Sequence, residues 1–391
     1  MSNFESQPLK YIPKGFQTIV LNIGIKDETK DFVCIHSEVR CCASGVFTQS
    51  RFAGPSVNLS RENVKNGHAQ AIVAISKNAN VANGEQGKLN AQTILNEVSK
   101  ALSLSNEDIL IGSTGVIGRP YPMDKILSPI QELNNIPPLC DFPDAAKGIM
   151  TTDTFAKYAS TQIGDAVVVG IAKGVGMIEP NMATLLTFFF TDADIDKKNL
   201  DLIFRNVMDK TFNCVSIDTD TSTSDTATIL ANGLAGPVDL TSFEAALLKI
   251  SKHLVKQIAR DGEGATKLIE VHVDQARDYR QAKKVAKMIV NSPLVKTAVH
   301  GADPNWGRIA MAIGKCEDEI DINPQKTIIR FGAVEVYPKK LSDIDLAQLE
   351  KSLMTEEVQI NVSLQTGTSE ATVWGCDLSA EYVRINGEYT T

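Results

Sequence analysis

Lys173-Gly-Val-Gly-Met-Ile-Glu-Pro-Asn-Met-Ala-Thr184-Leu-Leu-Thr-Phe-Phe-Phe-Thr-Asp192 runs a glycine-rich polar turn straight into a hydrophobic strand, and Thr184 opens that strand. A threonine hydroxyl is a poor nucleophile unless a base lies within hydrogen-bond reach. Cutting the chain before the threonine supplies one, because the freed α-amine then activates its own side chain. On the plain reading, Thr184 is a β-branched residue entering a buried strand, and Gly174 and Gly176 only shape the turn.

Outward from this stretch, strand-like and helix-like runs alternate. Upstream come a strand at Ala71-Ile-Val-Ala-Ile75, a periodic helix over roughly 87 to 103, and strands at Ile109-Leu-Ile-Gly-Ser113 and Ala166-Val-Val-Val-Gly-Ile171. Downstream, helices are expected over roughly 197 to 212, 242 to 260 and 276 to 290, with strands at Leu268–Val273, Thr327–Phe331 and Val358–Leu364. The alternation predicts α/β or α+β layering. Proline-rich breaks at Ile136–Pro143 and Tyr337–Lys340 read as loops, since flexible Gly/Ser tracts are missing.

The 391 residues suffice for two or three domains or one large α/β unit, and 43% hydrophobic with 22% charged residues is the balance of a soluble globular protein. A net charge of −8 argues against nucleic acid as a partner. The first residues lack a basic stretch followed by an apolar core, and no apolar run reaches membrane-spanning length, so a cytoplasmic protein without membrane contact is expected. Seven scattered cysteines without a Cys-x-x-Cys pair read as buried free thiols, and five dispersed histidines give no metal-site spacing.

Four further segments carry candidate chemistry. Ile111-Gly-Ser-Thr-Gly-Val-Ile-Gly118 ends a strand in a small-residue turn that can aim backbone N–H groups and the Thr114 hydroxyl at a carbonyl oxygen gaining negative charge, a weak signal by itself. Ile149-Met-Thr-Thr-Asp-Thr-Phe155 reads as a turn capped by its own side chains. Arg260-Asp-Gly-Glu-Gly-Ala-Thr-Lys267 follows a long helix, with Gly262 or Gly264 as the expected C-cap and Glu263 exposed between them. Ser216–Thr226 superficially resembles a calcium loop, but Thr223 and Ile229 stand where glycine and glutamate are required, so it reads as a polar structural loop. In Val299–Arg308, Pro304 after Asp303 signals a helix start.

Taken together, these motifs resemble the ornithine acetyltransferase family, the glutamate N-acetyltransferases of arginine biosynthesis, from Gly45-Val-Phe-Thr-Gln-Ser-Arg51 to the last residue. The resemblance implies self-cleavage between Ala183 and Thr184, giving an α chain of residues 1–183 and a β chain of residues 184–391 with Thr184 as nucleophile. It implies an oxyanion hole at Thr114 and Gly115, and substrate contacts from Thr151 (with Thr152 a close second), Lys173, Thr184, Glu263, Asn386 and Thr391. Lys173 suits an amino acid's α-carboxylate, and Glu263 a cationic ornithine side chain or amine. The implied fold is a layered α/β sandwich. The implied reaction is a ping-pong acetyl transfer from N-acetylornithine to glutamate that uses no cofactor, in a heterotetramer of two α and two β chains. A self-processing aminopeptidase or amidohydrolase is the alternative, and an added acetyl-CoA-dependent activity is compatible with the family.

Two places depart from the family's usual wording. Ser76-Lys77 stands for Ser-Gly, and Ser216-Ile-Asp-Thr-Asp-Thr-Ser-Thr-Ser-Asp225 for the usual Val-Asp-Gly-Asp-Thr-Ser-Thr-Asn-Asp. With Phe52-Ala-Gly-Pro-Ser-Val57, both resemble the paralogue found with clavulanic acid biosynthesis genes.

Overall fold

The computed structural model describes residues 6–26, 28–179 and 185–388. Among these, fourteen strands are β1 (Phe16–Leu21), β2 (Phe32–Phe47), β3 (His68–Ile75), β4 (Ile109–Ser113), β5 (Lys157–Ile163), β6 (Ala166–Lys173), β7 (Leu186–Asp194), β8 (Val215–Ser216), β9 (Thr226–Pro237), β10 (Leu268–Ala276), β11 (Ile328–Phe331), β12 (Val334–Tyr337), β13 (Glu357–Ser363) and β14 (Ser369–Cys376). They form two sheets, ordered β4-β3-β2-β9-β7-β6-β5 with β1 also on β2, and β12-β11-β13-β10-β14-β8.

β7 shows why the first sheet is an inner layer. Its residues alternate faces at a period of two, yet all but the last are buried, so both faces must be covered. Phe188 and Phe190 point to one side, where Phe190 meets Phe16 and Phe142 with ring centroids 5.4 Å away in each case. Phe189 points to the other, 6.0 Å from both Phe204 and Phe212. Edge-to-face pairs, as Phe190 makes with Phe16 and Phe189 with Phe204 and Phe212, add roughly 0.5–1.5 kcal/mol each beyond the area buried.

Phe204 belongs to the helix Lys197–Lys210, started by the Asp196 carboxylate accepting from Lys198 and Asn199 N–H. Beside it the helix Leu240–Arg260 packs against β5 and β6 on one side and β10 and β14 on the other, joining the two sheets. The expected layered α/β sandwich is the observed architecture.

The expected elements appear within a few residues of their predicted ends. Two helix signals were misplaced. The long helix is capped by Asp261, at φ −85°, rather than by Gly262 or Gly264. The helix expected at Pro304 begins at Trp306 with Asn305 as its cap. All seven cysteines are free, and burial pushes the Cys34 thiol up to about 12. Among the described residues no helix is long and apolar enough to cross a membrane, and no cluster of potential metal ligands occurs.

Both departures from the family wording fall on left-handed backbone. Lys77 has φ +72° and Thr219 φ +69°. Glycine adopts this conformation without steric cost, whereas a β-branched residue there is strained. Thr219→Gly should therefore stabilise the protein by about 1 kcal/mol, read as a higher melting temperature. A melting temperature that stays put or falls would count against strain at this position.

Candidate active site

β6 and β7 are antiparallel neighbours in which Lys173 pairs with Leu186, so the chain leaves and re-enters the sheet at the same level. The connection between them holds the glycine turn. Ala183 and Thr184 lie outside the described residues, as does Thr391. The flanks are well defined. Met177 and Ile178 N–H both donate to Asp218, at 2.7 Å each, and Ile217 N–H donates to Ile178 O at 2.7 Å. On the far side, Thr226 N–H donates to Leu185 O at 2.9 Å. The loop read as purely structural thus grips the turn and the start of β7, and its residues Ser222 to Asp225 also line the pocket beside that turn. Burial pushes the Asp218 carboxyl up, against the pull of the N–H groups it accepts from.

Thr114 and Gly115 lie at the carboxyl end of β4. Thr114 N–H is spent on Ile75 O at 2.9 Å, and its hydroxyl accepts from Lys173 Nζ at 3.1 Å. Gly115 N–H donates to no acceptor among the described residues. At φ +129°, a Cβ on Gly115 would sit 2.2 Å from the Lys77 carbonyl carbon, so only glycine brings the backbone this close.

Lys173 is buried rather than solvated. Burial pulls its ammonium pKa below the usual lysine range, while Asp153 acts to retain the proton. Asp153 Oδ1 also accepts Gly174 N–H at 2.8 Å, which ties the start of the turn to the Thr151–Asp153 loop.

Glu263 is half-buried, not the exposed turn residue of the plain reading. Its N–H donates to Val175 O at 2.9 Å, and its carboxylate accepts from Thr152 Oγ1 at 2.9 Å and from Asn386 Nδ2 at 3.0 Å. Asn386 rides on the helix Ala380–Glu388. Of the two threonines considered, Thr152 carries the side-chain bond, while Thr151 lines the pocket and donates its N–H to Asp153 at 3.0 Å.

A Cβ on Gly176 would lie 2.7 Å from Glu263 Oε2. Gly176→Ala is therefore expected to leave the fold intact but displace this carboxylate from Thr152 and Asn386. The loss of hydrogen bonding should raise the substrate KM about tenfold, equivalent to roughly 1.4 kcal/mol. Unchanged steady-state constants would contradict that placement.

Thr114, Gly115, Thr151, Thr152, Lys173, Glu263 and Asn386, drawn from both sides of the β6–β7 connection, thus line one pocket beside Leu185. It offers hydrogen-bond donors at the end of β4, a buried ammonium and a hydrogen-bonded carboxylate. Residues 17–391 match the ArgJ family. The chain belongs to that family.

Among its relatives are the arginine biosynthesis bifunctional protein ArgJ 2 of Nostoc sp., 60% identical and covering 97% of this chain and 98% of its own, and the glutamate N-acetyltransferase Oat2 of Streptomyces clavuligerus, 54% identical over the same shares. A crystal structure of the arginine biosynthesis bifunctional protein argJ from Bacillus halodurans is 40% identical with a TM-score of 0.47, covering 51% of this chain and 96% of that one.

Asp225, Ser222 and Ser224 were missed as pocket residues in this ArgJ-family chain because their segment, once it failed as a calcium loop, was read as purely structural. A usable signal was present: a polar run immediately before an apolar strand, β9, which pairs in parallel with β7.

Proposed function

We propose that this ArgJ-family chain cleaves itself between Ala183 and Thr184 and then moves an acetyl group from N-acetylornithine to glutamate. The observation that carries this reading is the convergence of Thr114, Gly115, Lys173 and Glu263 on one pocket next to Leu185, the residue after the candidate nucleophile. Thr184 Oγ1 attacks the acetyl carbonyl carbon while its α-amine takes the hydroxyl proton. The Thr114 hydroxyl and Gly115 N–H stabilise the oxyanion, and that proton passes to the departing ornithine amine. The product is an acetyl ester on Thr184. The glutamate amine then attacks the ester, Thr184 recovers its proton, and N-acetylglutamate leaves.

Lys173 is placed to meet an α-carboxylate and Glu263 to meet a cationic group, which fits amino-acid substrates at both steps. Thr151 or Thr152, Asn386 and Thr391 complete the substrate contacts. The scheme assigns no cofactor. Residues 1–183 and 184–391 remain associated as α and β chains, pairing into a heterotetramer in the cytoplasm. The likeness to the paralogue of clavulanic acid gene clusters rests on the motif variants and the 54% identity to Oat2; the 60% identity to the Nostoc ArgJ 2 supports arginine-pathway recycling instead, with the same chemistry.

Incubation with N-acetylornithine and labelled glutamate tests the reading. Label in N-acetylglutamate supports transfer, whereas free acetate alone would identify a hydrolase. Intact mass spectrometry of the active protein should find two fragments, the second starting at Thr184.

A further inference from the structure

Beneath the pocket, and outside the roles already assigned, one lysine is completely enclosed. Lys157, the first residue of β5, has a side chain with 0% exposure, and its two carboxylate partners, Asp153 and Asp261, show 0% and 2%. Its Nζ donates to Asp153 Oδ1 at 2.7 Å and to Asp261 Oδ2 at 2.6 Å. The ammonium also lies 4.9 Å from the centre of the Phe155 ring. Enclosing three charged side chains is costly unless each is paired and hydrogen-bonded.

The partners satisfy that condition, and each belongs to a different wall of the pocket. Asp153 follows Thr151 and Thr152, and its carboxylate also holds Thr151 N–H and Gly174 N–H. Asp261 precedes Glu263 by two positions in the same turn and accepts Thr154 N–H at 3.1 Å as well as the Thr154 hydroxyl. One ammonium therefore fastens together the threonine loop, the start of the glycine turn next to Lys173, and the turn that presents Glu263.

We propose that Lys157 is a positioning residue for the transfer reaction. By bridging Asp153 and Asp261 it fixes the distance between the Lys173 ammonium and the Glu263 carboxylate, and so sets the register in which an amino-acid substrate lies. This inference rests on the acetyl-transfer reading for its substrates, not for its geometry.

The charges support it. Burial alone would raise the Asp153 carboxyl, but the Lys157 and Lys173 ammonium groups, with the bonds from Lys157 and Thr151, hold it at about 2. Lys173 in turn faces Asp153, Lys157, Asp225 and Glu263. Removing the Lys157 charge leaves Asp153 buried beside the Asp261 carboxylate. Both influences favour its protonated form, so the pH below which it is neutral must rise.

The test compares the full-length wild type with Lys157→Met, Lys157→Arg and Asp261→Asn, each checked for folding by circular dichroism and melting. Values of kcat/KM for N-acetylornithine and for glutamate are measured over roughly pH 5 to 9. Displacements of about an ångström between substrate-holding groups can cost on the order of a hundred-fold, and Lys157→Met is expected to lose kcat/KM on that scale for both substrates. Its acid limb should move to higher pH. Lys157→Arg should return the acid limb toward its wild-type position by restoring the cation. Asp261→Asn, which keeps the Lys157–Asp153 pair and removes a neighbouring negative charge, should weaken substrate use without moving that limb to higher pH, and it serves as the informative variant if Lys157→Met does not fold.

Folded Lys157→Met with wild-type kcat/KM and an unmoved pH profile overturns the proposal, as does Asp261→Asn with wild-type constants. Failure of the transfer reading is recognised separately, as wild-type release of acetate without label in N-acetylglutamate. The same variants then read the network through that hydrolysis.

Discussion

Thr184→Ala is expected to leave the chain as a single polypeptide of 42.4 kDa and to abolish acetyl transfer. Two losses coincide in this variant. Alanine has no hydroxyl to attack the peptide bond before it, so no new N-terminus forms, and it has none to carry an acetyl group afterwards. Removing the nucleophile from a triad-type site leaves only binding and oxyanion stabilisation, and losses of about 10⁴-fold or more are expected. The surroundings should stay in place, because the turn is gripped by Asp218 upstream and β7 is seated between β6 and β9 downstream. Melting temperature should thus change little while activity disappears. Denaturing electrophoresis and the labelled-glutamate assay check the two halves separately. A cleaved Thr184→Ala chain would move the scissile bond elsewhere, and an uncleaved but active one would remove Thr184 from the mechanism.

How far the sequence discloses this site depends on the kind of residue involved. Thr114, Lys173 and Glu263 sit in motifs whose wording is distinctive, and the fold brings them into one pocket. The alternation of strands and helices was legible because β6 and β7 are long apolar runs bounded by turn residues. Lys157 was not legible. A lysine at the start of a strand is ordinarily a solvated residue, and only the fold brings Asp261, 104 residues away in sequence, to within 2.6 Å of it.

The helix caps failed for a local reason. Glycines in Asp261-Gly-Glu-Gly264 looked like helix terminators, but Gly262 is wedged where a Cβ would lie 2.7 Å from Cys376 Sγ, and Gly264 where it would lie 2.5 Å from Tyr382 N. They are there for close packing against β14 and the C-terminal helix. Lys77 and Thr219 teach the converse. Each holds a side chain on left-handed backbone, so the wording that stands out in the sequence marks strain in the structure.

Thr114→Val is expected to lower kcat by roughly a hundred- to a thousand-fold, the range for loss of one oxyanion donor. Because Thr114 N–H is committed to Ile75 O, the proposed oxyanion contact must come from its side chain alone. The hydroxyl oxygen accepts from Lys173 Nζ, which leaves its own proton to be donated toward the pocket, and a neighbouring cation makes that proton a better donor. Valine keeps the shape and removes both functions. The interaction with the oxyanion exists only while charge develops on the carbonyl oxygen, so the loss should fall on kcat with little change in KM. Lys173 also loses an acceptor in this variant, and a buried ammonium with fewer partners would weaken carboxylate binding and raise KM instead. Thr114→Ser separates the two contributions, since it restores the hydroxyl for both and should recover most of kcat. A Thr114→Val enzyme with wild-type kcat would assign the oxyanion to Gly115 N–H alone, and one altered only in KM would make Thr114 an anchor for Lys173 and nothing more.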